Sequence, residues 1–128
     1  MHISKTFIAA LLTQTLLTAP LLAEGKSIIV LDASGSMWGQ IDGRPKLEIA
    51  REALGSVLSG LDPATEIGLM AYGNREKGSC PDIELVVPPA PGTAQAITDA
   101  ANTMKFLGKT PLTEAVRATR VQGLLDRK

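Results

Sequence analysis

Histidine, cysteine and aromatic residues are scarce in this chain of 128 residues: one histidine, one cysteine, one tryptophan, one tyrosine and two phenylalanines. The histidine is His2, in an apolar leader, so histidine-based metal sites and Ser-His or Cys-His catalysis are excluded for the remainder. Cys80 has no second cysteine to meet, so it is either a free thiol or half of a disulfide whose partner lies elsewhere. Its surroundings, Gly73 to Pro81, form a polar loop with no obvious base beside the thiol. With Trp38, Tyr72 and Phe106 the only aromatics beyond the leader, the core must rest on Leu, Ile, Val, Ala and Met. Charge of one sign is missing too. Lysine and arginine number 13 against 13 acidic residues, which leaves no basic surplus to hold a nucleic acid backbone or an anionic membrane.

The leader itself is informative. Lys5 precedes an apolar run from Phe7 to Leu22, and Ala23 is a plausible cleavage residue, although Leu21 is bulkier than such sites prefer. Residues 1–23 are thus expected to be a signal peptide. The competing reading is an uncleaved anchor, but Thr13-Gln14-Thr15 lowers the apolarity that a span needs. With the leader removed, no stable membrane span is expected, and the protein is placed in the periplasm or outside the cell. Residues 24–128 would then carry a formal charge of −1, since Lys5 is the only charged residue lost.

Lys26 to Leu31 is short, continuous and β-branched, which fits a strand buried on both faces. After a turn centred on Asp42-Gly43, Pro45 opens a helix whose Leu47, Ala50, Leu54, Leu58 and Leu61 share one apolar face. Gly60 and Asp62-Pro63 stop it. Glu66 to Tyr72 and Ile83 to Val87 are two further strands, joined by a loop too short for a helical crossover and hence antiparallel. Pro88-Pro89-Ala90-Pro91 is expected to bar further strand. Thr93 is placed as the N-cap of a helix with Ala96, Ile97, Ala100 and Met104 inward, and Pro111 opens a last helix with Leu112, Ala115, Val116 and Thr119 on one side. This order fits the first part of a doubly wound, Rossmann-like α/β domain. The last helix has no strand after it, so the sequence is expected to be an amino-terminal fragment with one strand edge open.

Where the first strand ends, Asp32, Ser34 and Ser36 place a carboxylate and two hydroxyls at alternate positions. Hard oxygen donors of this kind suit a small divalent cation better than a packed core. Gly35 would let the backbone bend so that the three turn inward together. An open α/β sheet binds its ligands at that end of the strands. One more donor is needed from another loop at the same edge, and Thr110, in Gly108-Lys109-Thr110-Pro111-Leu112, is the good candidate.

Asp32-x-Ser34-x-Ser36 after an apolar strand, with Gly108 to Leu112 downstream, resembles the von Willebrand factor type A domain, whose metal-ion-dependent adhesion site uses these two loops. The continuation Ser36-Met37-Trp38-Gly39 and the leader are similar to its exported bacterial members. The resemblance runs from Lys26 to about Arg120. It implies that Ser34 and Ser36 bind the cation through their hydroxyls, that Asp32 acts largely through bound water, and that Thr110 supplies the donor of the second loop. It also implies a non-enzymatic module whose metal recruits a carboxylate from a partner protein. The family's last acidic ligand would follow on a later strand, so residues 24–128 are read as a partial domain lacking its C-terminal strands and helices. Mg²⁺ is the expected ion, with Mn²⁺ or Ca²⁺ as alternatives.

Other readings of the same residues exist. Asp32 and Ser34 can simply cap a turn, and Thr110 can cap the helix after it. Trp38 can line the site's rim or pack against the sheet edge. Gly108-Lys109-Thr110 lacks the first glycine of a phosphate-binding loop, with Thr103 in its place, and Pro111 removes a backbone donor. No Gly-x-Ser-x-Gly elbow surrounds Ser34 or Ser36, which sets a serine hydrolase aside. The surviving alternative function is a metal-assisted phosphate-ester or other hydrolase using Asp32, although Ser34 stands where such sites want a second acid.

Overall fold

The apolar runs pair as a sheet whose two faces are covered by different helices. The computed structural model describes residues 25–121. The leader expected over residues 1–23 lies outside the described residues, as do residues 122–128. Strand β1 (Ser27–Asp32) pairs in parallel with β4 (Ile67–Tyr72), and β4 pairs antiparallel with β5 (Ile83–Ala90). Between β1 and β4 come a single 3-10 turn (Gly35–Trp38), a small hairpin of β2 (Gln40–Ile41) and β3 (Arg44–Pro45), and helix α1 (Lys46–Ser59). Asp42 and Gly43 form the hairpin's tip, both in the left-handed region that a two-residue turn of this hand requires. Helices α2 (Ala94–Thr103) and α3 (Leu112–Val121) complete the described chain. The sheet order is β1-β4-β5, so β4 is the middle strand and β1 an edge among the described residues.

Strand alternation divides the core. Ile29 and Leu31 of β1 and Ile67, Leu69 and Ala71 of β4 face Leu54 and Leu58 of α1 and Ile97 and Ala101 of α2. Ile28 and Val30, with Met70 and Tyr72, face Ala115 and Ala118 of α3 on the other side. A sheet sandwiched in this way explains why both strands read as continuous apolar runs rather than alternating ones.

Three expectations need correction. Strand β5 runs through the prolines to Ala90 instead of stopping at Val87. Ala90 pairs with Ile67 and Val87 with Leu69, so Pro88 and Pro89 sit in an irregularity opposite Gly68 and no ladder bond is asked of them. Gly68 makes this possible, since a Cβ there would lie 2.7 Å from the Val87 carbonyl and 2.8 Å from the Pro89 nitrogen. In α2 the inward residues are Ala94, Ile97, Ala101 and, partly, Ala100, with Met104 just beyond the helix, while Ala96 is exposed. In α3 the inward side is Ala115, Ala118 and Thr119, and Leu112 and Val116 are exposed. Small residues face the sheet there, which lets the helix approach closely.

Thr93 is the N-cap residue of α2, as expected, but its side chain does not cap the helix. The Thr93 hydroxyl donates to the Ala90 and Ile67 carbonyls instead of accepting from α2, and only the Thr93 carbonyl takes the Ile97 N–H. The C-terminal end of α2 is closed by Arg51 of α1, which donates to the carbonyls of Ala101 and Met104. No described helix is long and apolar enough to cross a membrane.

Candidate metal centre

The site begins where β1 stops. Ala33 continues the ladder by one bond, its N–H donating to the Tyr72 carbonyl at 2.9 Å, and the chain then turns. Asp32 Oδ1 accepts the Ser34 N–H at 2.8 Å, so the turn-capping role expected of a bare Asp-x-Ser is present. The Ser34 and Ser36 hydroxyls lie 2.9 Å apart, and Ser34 is only 1% exposed. Gly35 is not among the residues with a left-handed backbone, and a Cβ there would make only ordinary contacts. The bend comes instead from the 3-10 turn, in which the Met37 N–H reaches the Ser34 carbonyl at 3.1 Å.

The second loop is docked on the first largely through main-chain bonds. Ser34 and Gly108 form a parallel bridge, with the Gly35 N–H donating to the Gly108 carbonyl at 2.9 Å. The Leu107 N–H is shared between the carbonyls of Ala33 and Gly73, both at 3.0 Å, and the Gly108 N–H reaches Gly73 O at 2.8 Å. Gly73, the first residue after β4, has φ +76°, and a Cβ on it would press on the Lys109 and Ala33 carbonyls. A Cβ on Gly108 would fall 2.4 Å from the Gly73 Cα. Three chain segments thus meet backbone to backbone at the carboxyl end of β1 and β4.

Asp32, Ser34 and Ser36 are therefore brought together directly. Thr110 is placed on the adjoining loop, exposed, two residues past the bridge, and among the described residues no hydrogen bond joins it to the other three. It does not cap α3. The Ala115 N–H bonds to the Pro111 carbonyl at 3.0 Å, which puts Pro111 in the cap position and leaves Thr110 outside the helix.

Tyr72 is a site residue that sequence reading missed. Its register partner on β1 is Asp32. Its phenol is pushed up to about 12, first by burial, then by the negative charge of Asp32 and a hydrogen bond with it. It stays neutral, beside that carboxylate, at ordinary pH. The only advance signal was the parallel pairing, which sets the last residues of two strands side by side.

Asp82 is also missed. It is buried, and its carboxylate accepts the backbone N–H groups of Arg75 (2.7 Å) and Glu76 (2.9 Å) and the Arg75 Nε (2.7 Å). Burial works to raise its pKa, but the Glu76 N–H and the Arg75 contacts outweigh it and hold the group below the usual carboxylate range. Asp82 thereby staples the loop that leaves Gly73. Cys80, in the same loop, is exposed and unpaired among the described residues.

The donor set suits a hard dication. No cluster of three or more His, Cys, Asp or Glu exists among the described residues, so a metal here would rest on one carboxylate and hydroxyls. Adjacent ligands of an octahedral Mg²⁺ at ordinary Mg–O lengths are about 2.9 Å apart, and the Ser34 and Ser36 oxygens are separated by 2.9 Å.

Comparison with known proteins identifies the family of the fold. The family model for the von Willebrand factor type A domain matches residues 27–127. The chain is also similar to the uncharacterized protein YwmC of Bacillus subtilis (strain 168), 29% identical in an alignment of 99 residues that covers 72% of this chain and 44% of that protein. The chain thus spans less than half the length of that relative. With a mixed sheet, helices on both its faces and a family model covering nearly all described residues, the chain belongs to the von Willebrand factor type A domain family.

Proposed function

We propose that this domain is an exported, non-enzymatic binding module in which a divalent cation, held by Asp32, Ser34, Ser36 and Thr110, recruits an acidic residue of a partner protein. Domains of this family commonly mediate metal-dependent protein interactions. The observation that carries the reading is the pair of convergent hydroxyls 2.9 Å apart beside Asp32, on a loop that main-chain bonds lock to the Thr110 loop. Because hydroxyls are neutral and Asp32 brings a single negative charge, a bound dication keeps a net positive charge and attracts a carboxylate. Asp32 already accepts the Ser34 N–H with Oδ1 and lies beside Tyr72 in the strand register, so part of its accepting capacity is taken. Mg²⁺ is the ion of choice on size, with Mn²⁺ or Ca²⁺ as alternatives.

Calorimetric titration with Mg²⁺ tests the site. Wild type should bind one ion, and Ser34→Ala should lose most of that affinity while keeping its far-ultraviolet circular dichroism. Equal binding by both proteins would discard the site. Hydrolysis of a generic phosphate ester that Asp32→Asn abolishes would replace this reading with the hydrolase.

A further inference from the structure

Trp38 closes the 3-10 turn that carries Ser36, two residues beyond that hydroxyl. It is 60% exposed, yet its position is fixed. The indole Nε1–H donates to the Phe106 carbonyl at 3.0 Å, across the two loops of the site. Phe106 is itself firmly held: its ring is buried with Ala33 and Leu47, and the Arg51 guanidinium stacks 5.1 Å from its centre. Beneath the turn, Met37 packs against the same cluster. An exposed tryptophan anchored at both ends keeps its ring in one orientation and loses little freedom when something covers it.

What the ring offers outward follows from what it has already spent. Its one hydrogen-bond donor points inward, so the outer face recognises by stacking and apolar contact. A cation would stack well on a bare indole, but Lys46 stands beside Gly39, the residue that follows Trp38. Its Nζ lies 3.7 Å from where a Gly39 Cβ would be, and it has no ion pair among the described residues. That ammonium repels a cationic side chain and favours a carboxylate.

We infer that Trp38 is a specificity-determining contact, selecting a partner segment in which the metal-binding acidic side chain is followed by a large apolar side chain that stacks on the indole. The inference rests on the metal reading above and adds the second half of the partner's recognition element.

Trp38 is the only tryptophan in the chain, so its fluorescence reports this surface alone. The test uses two blocked tetrapeptides in saturating Mg²⁺, one with aspartate followed by phenylalanine and one with glycine in place of the phenylalanine. The phenylalanine peptide should bind about three- to tenfold tighter and shift Trp38 emission to shorter wavelength. Followed by NMR, Trp38→Ala should bring the ratio of the two affinities to about one; because a ratio is read, any general weakening cancels. Equal affinities in wild type, or a ratio kept in Trp38→Ala, would overturn the inference and leave the metal site standing. No Mg²⁺ heat in wild type would remove the metal site and the inference with it. Emission of the free protein that is already blue-shifted, and reddens on dilution, would assign the indole to a second copy of the chain and overturn the proposal.

Discussion

Replacing Gly108 with alanine should cost more than its one added methyl suggests, because that methyl has nowhere to go. The new Cβ would lie 2.4 Å from the Gly73 Cα and 3.1 Å from the Gly73 carbonyl carbon. Both obstacles are backbone, and Gly73 is held at φ +76° between the Ala33 and Lys109 carbonyls. To restore ordinary contact the two loops must separate by about 1 Å, an overpacking strain of about 1–3 kcal/mol. Separation also stretches the bonds Gly108 N–H to Gly73 O and Gly35 N–H to Gly108 O, each worth about 1 kcal/mol. The expected loss is about 2–5 kcal/mol in all, a large part of the stability of a small domain. Gly55 supplies the control, since it lies inside α1 with nothing within 4 Å of an added Cβ. Gly55→Ala should therefore stabilise by about 0.5–1 kcal/mol. Urea and thermal unfolding, followed by circular dichroism and Trp38 fluorescence, would compare the two. At about 4–8 °C per kcal/mol for a domain of this size, the variants should melt on opposite sides of wild type. A Gly108→Ala protein melting with wild type would refute the idea that this backbone contact holds the loops together.

Other expectations follow from the titrating groups. Tyr72 is the only tyrosine, so phenolate absorbance reads it directly, with a midpoint of about 12 in the folded protein and about 10 in urea. Asp32→Asn should lower the folded midpoint, and an unchanged midpoint would deny the contact between the two groups. Because the folded value is the raised one, Tyr72's contribution to stability is complete below pH ~10 and is lost as pH climbs through the folded value; the shift corresponds to about 2–3 kcal/mol. Asp82 has the opposite sign: its depressed pKa contributes above its ordinary range and is lost as pH falls through the lowered folded value. Asp82→Asn should destabilise by about 1–3 kcal/mol at neutral pH, and its deficit against wild type should shrink in acid-titrated unfolding curves.

The strands, α1 and the cluster from Asp32 to Ser36 were legible because each is written in local pattern: apolar runs, a 3–4 spacing, donors at alternate positions. The inner faces of α2 and α3 were not. Ala96 against Ala94, or Leu112 against Ala118, cannot be ranked by hydrophobicity when fit to the sheet selects small side chains. The continuation of β5 through Pro88 and Pro89 depended on Gly68, about twenty residues earlier. Tyr72 and Asp82 were hidden for a similar reason, as each acquires its role only when another segment arrives beside it. Thr110 could be nominated from sequence, but its place outside α3 depended on which carbonyl took the helix's first bond.

The meeting of Ala33, Gly73 and Gly108 has a consequence for how this domain can be altered. Its bonds run between main-chain atoms, so the frame of the site is indifferent to the side chains displayed around it. There is open space around Gly43 at the hairpin tip and around Gly78 in its loop, and with these two positive-φ glycines kept, substitutions or short insertions at their neighbours should diversify the loops while the oxygen donors stay in place. The domain separates into a fixed chassis, intolerant at two glycines, and a variable face where a new partner could be selected.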